Sequence, residues 1–270
     1  MTEPQVTILV PNYKTLVLTK LCLRLLRKHT AANLAHVIVI DNDSQDDSLD
    51  YLRTVSWIEL IERKKIEGES AVQGHARALD MALERVKTPY VLSIHTDTLV
   101  KHPQWLNFLL NQFNQDPNLA GVGSWKLESK SWARRSLKLI ERYLQLGFYR
   151  LTGKTQHGLE GIGKNYYYLR SHCAMYRMDL VKELNVHFGD GDMVAGKDMH
   201  KRLVEAGFEM RFLPSEVLVK YLEHINHATT VLNPHLSTRQ KSVDKGLRRI
   251  EKSLERMNAK AILSNDALDT

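Results

Sequence analysis

Three short runs of mostly branched aliphatic residues constrain this chain more than anything else in it: Val6-Thr7-Ile8-Leu9-Val10, Val37-Ile38-Val39-Ile40 and Val91-Leu92-Ser93-Ile94. Each stops abruptly in polar residues. The first gives way to Pro11-Asn12-Tyr13-Lys14, the second to Asp41-Asn42-Asp43-Ser44-Gln45-Asp46-Asp47-Ser48, and the third to His95-Thr96-Asp97. Such runs read as strands buried in the middle of a sheet, with their carboxyl ends opening into a cleft. Ligands of open α/β sheets bind beyond those ends, so Asp41 and Asp97 are site candidates. A plainer use for Asp97 is to cap the turn or helix that follows.

Helical patterns lie between the runs. Leu16, Leu18, Leu21, Leu25 and Leu26 recur at helical spacing among Lys20, Arg24, Arg27 and Lys28, predicting an amphipathic helix over 16–29. Ser48 or Asp47 can cap a helix over 49–53. A third strand is expected at 58–61 and a helix of small residues at 74–83. This alternation predicts a parallel sheet with right-handed crossovers. The second half reads as a helix at 103–113, a strand at 120–125 and a basic amphipathic helix at 131–151. A loop or lid rich in glycine and tyrosine at 153–168 follows, then a strand at 173–177 and a helix at 178–184. A turn at 188–192, a helix at 197–206 stopped by Gly207, and a strand at 209–213 complete it. Trp125, Tyr166, Tyr167 and Tyr168 offer rings for stacking on sugars or for packing. In the tail, Val243, Leu247, Ile250, Leu254, Met257 and Ala261 form a narrow heptad-like seam. It suits packing on the chain's own domain, a homodimer contact, or a membrane surface.

With 38 Lys and Arg against 31 Asp and Glu, the net charge of +7 suits nucleic acid, an anionic membrane or a polyanionic substrate. No nucleic-acid motif accompanies it, so nucleic acid is not an expected partner. Two cysteines, Cys22 and Cys173, argue against a disulfide framework and for a reducing compartment. No run approaches about 18 consecutive apolar residues. The N-terminus lacks the basic-then-apolar shape of a signal peptide. The expected location is cytoplasmic, with peripheral contact at the inner membrane face an option through helix 131–151.

The order of these motifs resembles the family 2 glycosyltransferases of GT-A fold, over roughly residues 5–230. Val6 to Tyr13 resembles the family's first strand and proline-containing loop. Residues 41–48 are close to its Asp-Asn-x-Ser-x-Asp-x-Ser. Gly74 to Leu83 resembles its Gly-x-Ala-x-Ala-Leu-Asn helix, with Asp80 where Asn is usual. His95-Thr96-Asp97 stands where the family has Asp-x-Asp. Residues 169–184 resemble the strand and helix before its acceptor motif. The resemblance implies a Rossmann-like, mostly parallel sheet with helices on both faces. It implies a nucleotide-sugar site from Pro11, Asn12, Tyr13, Asp41, Asn42, Ser44, Gly74, Arg77, His95 and Thr96, with Asp41 receiving the base.

The implied activity is transfer of a sugar, of hexosyl type, from a nucleotide-diphosphate sugar to a hydroxyl on a glycan or lipid-linked acceptor. Inversion, and a role in surface polysaccharide or glycolipid synthesis, are expected. Asp97 is the expected ligand for Mg²⁺ or Mn²⁺, with His95, His224 or His227 as further candidates. A cation there neutralises charge on the departing nucleotide, and imidazole suits Mn²⁺ better than Mg²⁺. Asp198 is the first choice for general base, with Asp192 and Asp190 as alternates. The plain alternative is an i,i+4 pair between Asp198 and Arg202. Residues 1–235 form the expected transferase domain, nucleotide-sugar half to about 125 and acceptor half from 126, followed by a helical extension at 236–270. A non-catalytic nucleotide- or glycan-binding protein and a sugar nucleotidyltransferase are the rival readings.

Overall fold

The computed structural model describes residues 3–127, 141, 143–145, 147–149, 161, 163–192, 194–225, 231–232 and 240–270. The strands are β1 (Val6–Asn12), β2 (Ala35–Asn42), β3 (Glu59–Arg63), β4 (Tyr90–Ile94), β5 (Thr98–Val100), β6 (Leu119–Gly123), β7 (Cys173–Arg177), β8 (Glu209–Phe212) and β9 (Leu222–His224). The helices are α1 (Leu16–His29), α2 (Asp47–Thr54), α3 (Ala71–Leu83), α4 (Trp105–Asn114), α5 (Met178–Glu183), α6 (Lys197–Glu205), α7 (Ser215–Leu218), α8 (Gln240–Arg256) and α9 (Ala259–Leu263).

Seven strands form one sheet in the order β3-β2-β1-β4-β7-β6-β8. The first four run parallel, as the βα alternation predicts, and β7 runs antiparallel to both β4 and β6. Alternation along β1 divides the core. Val6, Ile8 and Val10 pack with Leu18, Leu21 and Cys22 of α1, whereas Leu9 packs with Ala78 and Leu79 of α3. Burying both faces of β1 places it in the interior of the sheet, between β2 and β4.

Several expected boundaries move for local reasons. β1 runs on through Pro11, beyond the last β4 partner at Leu9, where only β2 is paired. α2 is capped by Asp46, not Ser48 or Asp47: its carboxylate accepts from Ser48 N at 3.0 Å. α3 begins three residues before Gly74, because Ser70 and Gln73 close a reciprocal capping box. β5 and β9, absent from the sequence reading, form a separate antiparallel ribbon that pairs Thr98 with His224. The expected helix 131–151 lies largely outside the described residues.

The tail seam is not one continuous helix. Asn258 adopts a left-handed conformation (φ 50°) and separates α8 from α9. Ile250 and Ile262 are buried, and Leu254 and Met257 pack against the same core as α1, while Leu247 is exposed. Arg24, 1% exposed on α1, receives the chain end: it donates to Asp269 (Nε to Oδ1, 2.9 Å), Asp266 (2.5 Å) and the Leu263 carbonyl (2.5 Å). Tyr51 Oη donates to the same Asp269 at 2.8 Å, and Trp57 Nε1 to the Leu268 carbonyl at 2.9 Å. Removing one partner of a buried ion pair costs about 3–5 kcal/mol, whereas an exposed pair contributes less than about 1 kcal/mol. Arg24→Met is therefore expected to lower unfolding stability in urea by about 3 kcal/mol. Arg53→Met, on the exposed partners Asp50 and Glu62, should change it by less than about 1 kcal/mol. Equal effects would mean that Arg24 does not hold the tail.

Candidate functional site

The carboxyl ends of β1 and β2 are tied together by one amide. Asn12, 1% exposed, donates through Nδ2 to Asp41 Oδ1 (2.8 Å), Ser44 Oγ (3.2 Å) and Ser48 Oγ (3.0 Å). Its Oδ1 accepts from Thr19 Oγ1 at 2.6 Å, and Ser44 N donates to Asp41 Oδ2 at 2.9 Å. Asp41 and Ser44 thus stand inside a buried polar knot, behind the wall of the adjoining cleft. Pro11, Asn12, Tyr13, Asn42, Gly74, His95, Thr96, Asp97 and His224 line that cleft, which encloses about 490 Å³.

On the side of β2 and β3 the cleft is walled by the carboxylate of Glu69, which the sequence pattern did not single out. Its side chain is 1% exposed; Oε1 accepts from Arg63 and, at 2.9 Å, from Arg77. Burial pushes this carboxyl up, but the two guanidiniums outweigh burial and hold it below the usual range. Arg77, expected at the nucleotide-sugar site, donates to Glu69 from outside the cleft lining. Arg63 also donates to Asn42 Oδ1 at 2.5 Å. The legible signal was the Ser70-x-x-Gln73 pattern one residue later, which marks a helix start opening on this wall.

Beyond β4, the β5–β9 ribbon brings Asp97 and His224 together, with Ile225 N donating to the Asp97 carbonyl at 2.8 Å. Asp97 Oδ1 lies 3.5 Å from His224 Nε2 and 3.9 Å from His95 Nδ1. Three more residues, His75, Ser171 and His172, surround this pair and were not foreseen. The Ser171 hydroxyl bridges His75 Nε2 (3.1 Å) and His95 Nε2 (3.0 Å), and His172 stacks on His224 with ring centroids 4.7 Å apart. A hydroxyl has one proton and two lone pairs, so at least one of the two bridged nitrogens is a donor. Burial lowers His75 to about 4 and holds His95 and His172 well below the ordinary value, so the imidazoles are neutral at neutral pH.

Neutral imidazole and carboxylate are ligands for a divalent transition cation. His224 Nδ1 is buried and makes no hydrogen bond among the described residues. That leaves the ring oriented by stacking and by Asp97. Among the described residues no group of three His, Cys, Asp or Glu side chains is close enough to hold an ion alone. The donor set fits a cation that takes its remaining ligands from a bound diphosphate. His227 lies outside the described residues.

The acidic candidates on the acceptor side separate clearly. Asp190 accepts from His187 N and from Arg202 Nη1, both at 2.8 Å, so Arg202 pairs with Asp190 and not with Asp198. Asp198 lies in the first turn of α6, beside Gly191, where a Cβ would come within 3.2 Å of its Cγ. Gly191 is also left-handed (φ 70°), a conformation glycine adopts without strain. The side chain of Asp192 lies outside the described residues. Asp80 caps this region, accepting from Phe188 N (2.7 Å) and Gly189 N (3.0 Å), which joins α3 to the acceptor half. Trp125 meets Tyr167 and Tyr168 edge to face, and the Arg170 guanidinium sits 4.2 Å over the Trp125 ring. These rings pack on one another, and Tyr168 and Arg170 also reach the cleft.

The family model described as Glycosyl transferase family 2 matches residues 7–184. No curated protein sequence matches the chain. The mannosyltransferase PcManGT from Pyrobaculum calidifontis, solved in complex with GDP-Man and Mn²⁺, is similar with a TM-score of 0.54 at 17% identity. That match covers 79% of this chain and 56% of that one. TarS from S. aureus is similar with a TM-score of 0.53 at 12% identity, over 91% of this chain and 70% of that one. At these identities the likeness shows the fold, which is GT-A as expected.

One buried histidine outside the Asp97 cluster gives the region a measurable pH signature. His200 Nδ1 accepts from Leu169 N at 3.3 Å, and burial lowers its pKa from 6.5 to about 4. Because the folded value is the lower one, the stability it contributes is complete above about pH 6.5 and is lost as pH falls toward 4. The slope is up to about 1.4 kcal/mol per pH unit for each such group. Thermal unfolding midpoints should fall between pH 6.5 and pH 4 and fall less steeply in His200→Gln. An unchanged slope in that variant would show His200 to be protonated in the folded state.

Proposed function

Because the chain belongs to glycosyl transferase family 2, we propose that it transfers a sugar from a nucleotide-diphosphate sugar to a hydroxyl acceptor. The observation that carries this reading is the pairing of Asp97 with His224 beyond β4, in a cleft that Asn42 and Glu69 wall on the side of β2 and β3. A nucleotide is chemically two-ended, and in this reading its base lies against the wall of Asn42 and Glu69 while its diphosphate points toward Asp97.

Asp97 and His224 hold the divalent cation, Mn²⁺ in preference to Mg²⁺ because one ligand is imidazole. When bound, it supplies positive charge against the negative charge that develops on the departing nucleotide. His95 orients beside them through Ser171. The buried, neutral imidazoles of His75, His95 and His172 add no charge of their own, so the cation sets the local field. Lys126 and Arg170, also on the cleft wall, draw an anionic donor in.

Asp198 is the general base that takes the acceptor hydroxyl's proton as its oxygen attacks the anomeric carbon from the face opposite the leaving diphosphate, giving inversion. The support is positional: Asp190 is committed to Arg202 and the His187 amide, while Asp198 is not drawn into that pair. Residues 1–235 act as the transferase domain, with the acceptor a glycan or lipid-linked hydroxyl and the product a surface glycan. No helix among the described residues is long and apolar enough to cross a membrane.

Two outcomes test this. With Mn²⁺ present, a nucleotide diphosphate at about a hundred times its Kd should stabilise the protein by roughly 2.7 kcal/mol in thermal unfolding. Asp97→Ala should abolish the Mn²⁺-dependent part of that gain. No stabilisation by any nucleotide diphosphate would remove the donor-site assignment. Asp198→Asn should bind nucleotide like the unaltered chain while its turnover falls about 10²–10⁴-fold, the usual range for a lost general base. Full turnover in Asp198→Asn would transfer the role elsewhere. Binding without transfer to any acceptor would favour the non-catalytic reading.

A further inference from the structure

Resting on the donor-site reading above, we propose that Arg63 presets the cleft to read the nucleobase by its lactam edge, a carbonyl beside an N–H, through Asn42 and Glu69. The selected donors are then uridine or guanosine diphosphates, and not cytidine or adenosine diphosphates.

Arg63 is 5% exposed and donates in two directions, to Asn42 Oδ1 and to Glu69 Oε1. The first bond fixes the amide of Asn42. With Oδ1 turned to the guanidinium, Nδ2 must face the other way. The second, reinforced by Arg77, uses one oxygen of Glu69 and leaves Oε2. That oxygen is buried and has no hydrogen-bond partner among the described residues. A buried carboxylate oxygen without a donor is costly, which points to a ligand N–H as its missing partner.

Gly74 shows that the two remaining atoms border one place. A Cβ on Gly74 would stand 3.0 Å from Glu69 Oε2 and 3.4 Å from Asn42 Nδ2. Any side chain here would crowd both atoms, and glycine leaves that space unfilled. Asn42, Glu69 and Gly74 all line the cleft, as does the Tyr13 ring. The wall therefore offers a donor, Asn42 Nδ2, beside an acceptor, Glu69 Oε2. Uracil (O4 and N3–H) and guanine (O6 and N1–H) present the complementary order. Cytosine (N4–H₂ and N3) and adenine (N6–H₂ and N1) present it reversed, setting donor against donor and lone pair against carboxylate.

The test is isothermal titration of the full chain, with Mn²⁺, against UDP, GDP, CDP and ADP. UDP or GDP should bind at least about tenfold more tightly than CDP and ADP, the discrimination one good pair supplies; comparing those two then identifies the base. Glu69→Gln replaces the acceptor by an amide donor and should shrink the gap to below about threefold. Asn42→Asp removes the donor and should do the same. Wild-type binding of CDP or ADP as tight as UDP and GDP overturns the proposal. So does an unchanged gap in either variant with a wild-type circular dichroism spectrum. If Glu69→Gln does not fold, the wild-type series and Asn42→Asp decide. Equal binding of all four removes only the base reading, whereas binding of none removes the donor site and this proposal with it.

Discussion

The amide of Asn12 is the contact on which the site's shape depends. One side chain joins the ends of β1 and β2, the loop at Ser44 and the starts of α1 and α2 through Thr19 and Ser48. Buried polar groups must find partners, and here each satisfies its neighbour, so the loops that follow the two strands have one arrangement. The same economy turns Asp41 inward. A carboxylate that the strand pattern places at the cleft becomes part of the frame, and the cleft face passes to its neighbour Asn42 and to Glu69 on the approach to α3.

The electrostatics of the two sides of the cleft follow from burial. Glu69 is held ionised by Arg63 and Arg77, so its charge is matched within the wall. Beyond β4 the chain has His95 where the family it resembles has a second carboxylate. Burial keeps that imidazole neutral, and Ser171 and His75 hold it in place. Asp97 is then the principal negative charge facing the phosphates. A diphosphate meets less repulsion here than at paired carboxylates, and a cation meets less attraction. Cation and nucleotide should consequently bind as a unit.

Much of the fold was legible because its pattern is strong. β1, β2, β4 and α1 are long or apolar enough that periodicity alone fixes them, and the acid-tipped strands led directly to Asp97. What escaped has specific causes. β5 and β9 have three residues each, too few for alternation to register, yet they bring His224 to Asp97. Glu69 lies outside every strand and helix, and its importance comes from Arg63 twenty-one positions after Asn42. His75 occupies a position that the helix motif leaves open, and His172 and Ser171 sit in a turn before β7. The heptad seam of the tail was visible, but neither the left-handed Asn258 that divides it nor the seating of Asp269 on Arg24 and Tyr51 leaves a periodic signal.

A crystal structure of the chain with Mn²⁺ and the tightest-binding nucleoside diphosphate, located by manganese anomalous scattering, tests the two sides of the cleft most directly. The expected result is manganese coordinated by Asp97 and by the diphosphate, with the base between the Tyr13 ring and Gly74. Manganese away from Asp97, or a base seated outside the wall of Asn42 and Glu69, would contradict it.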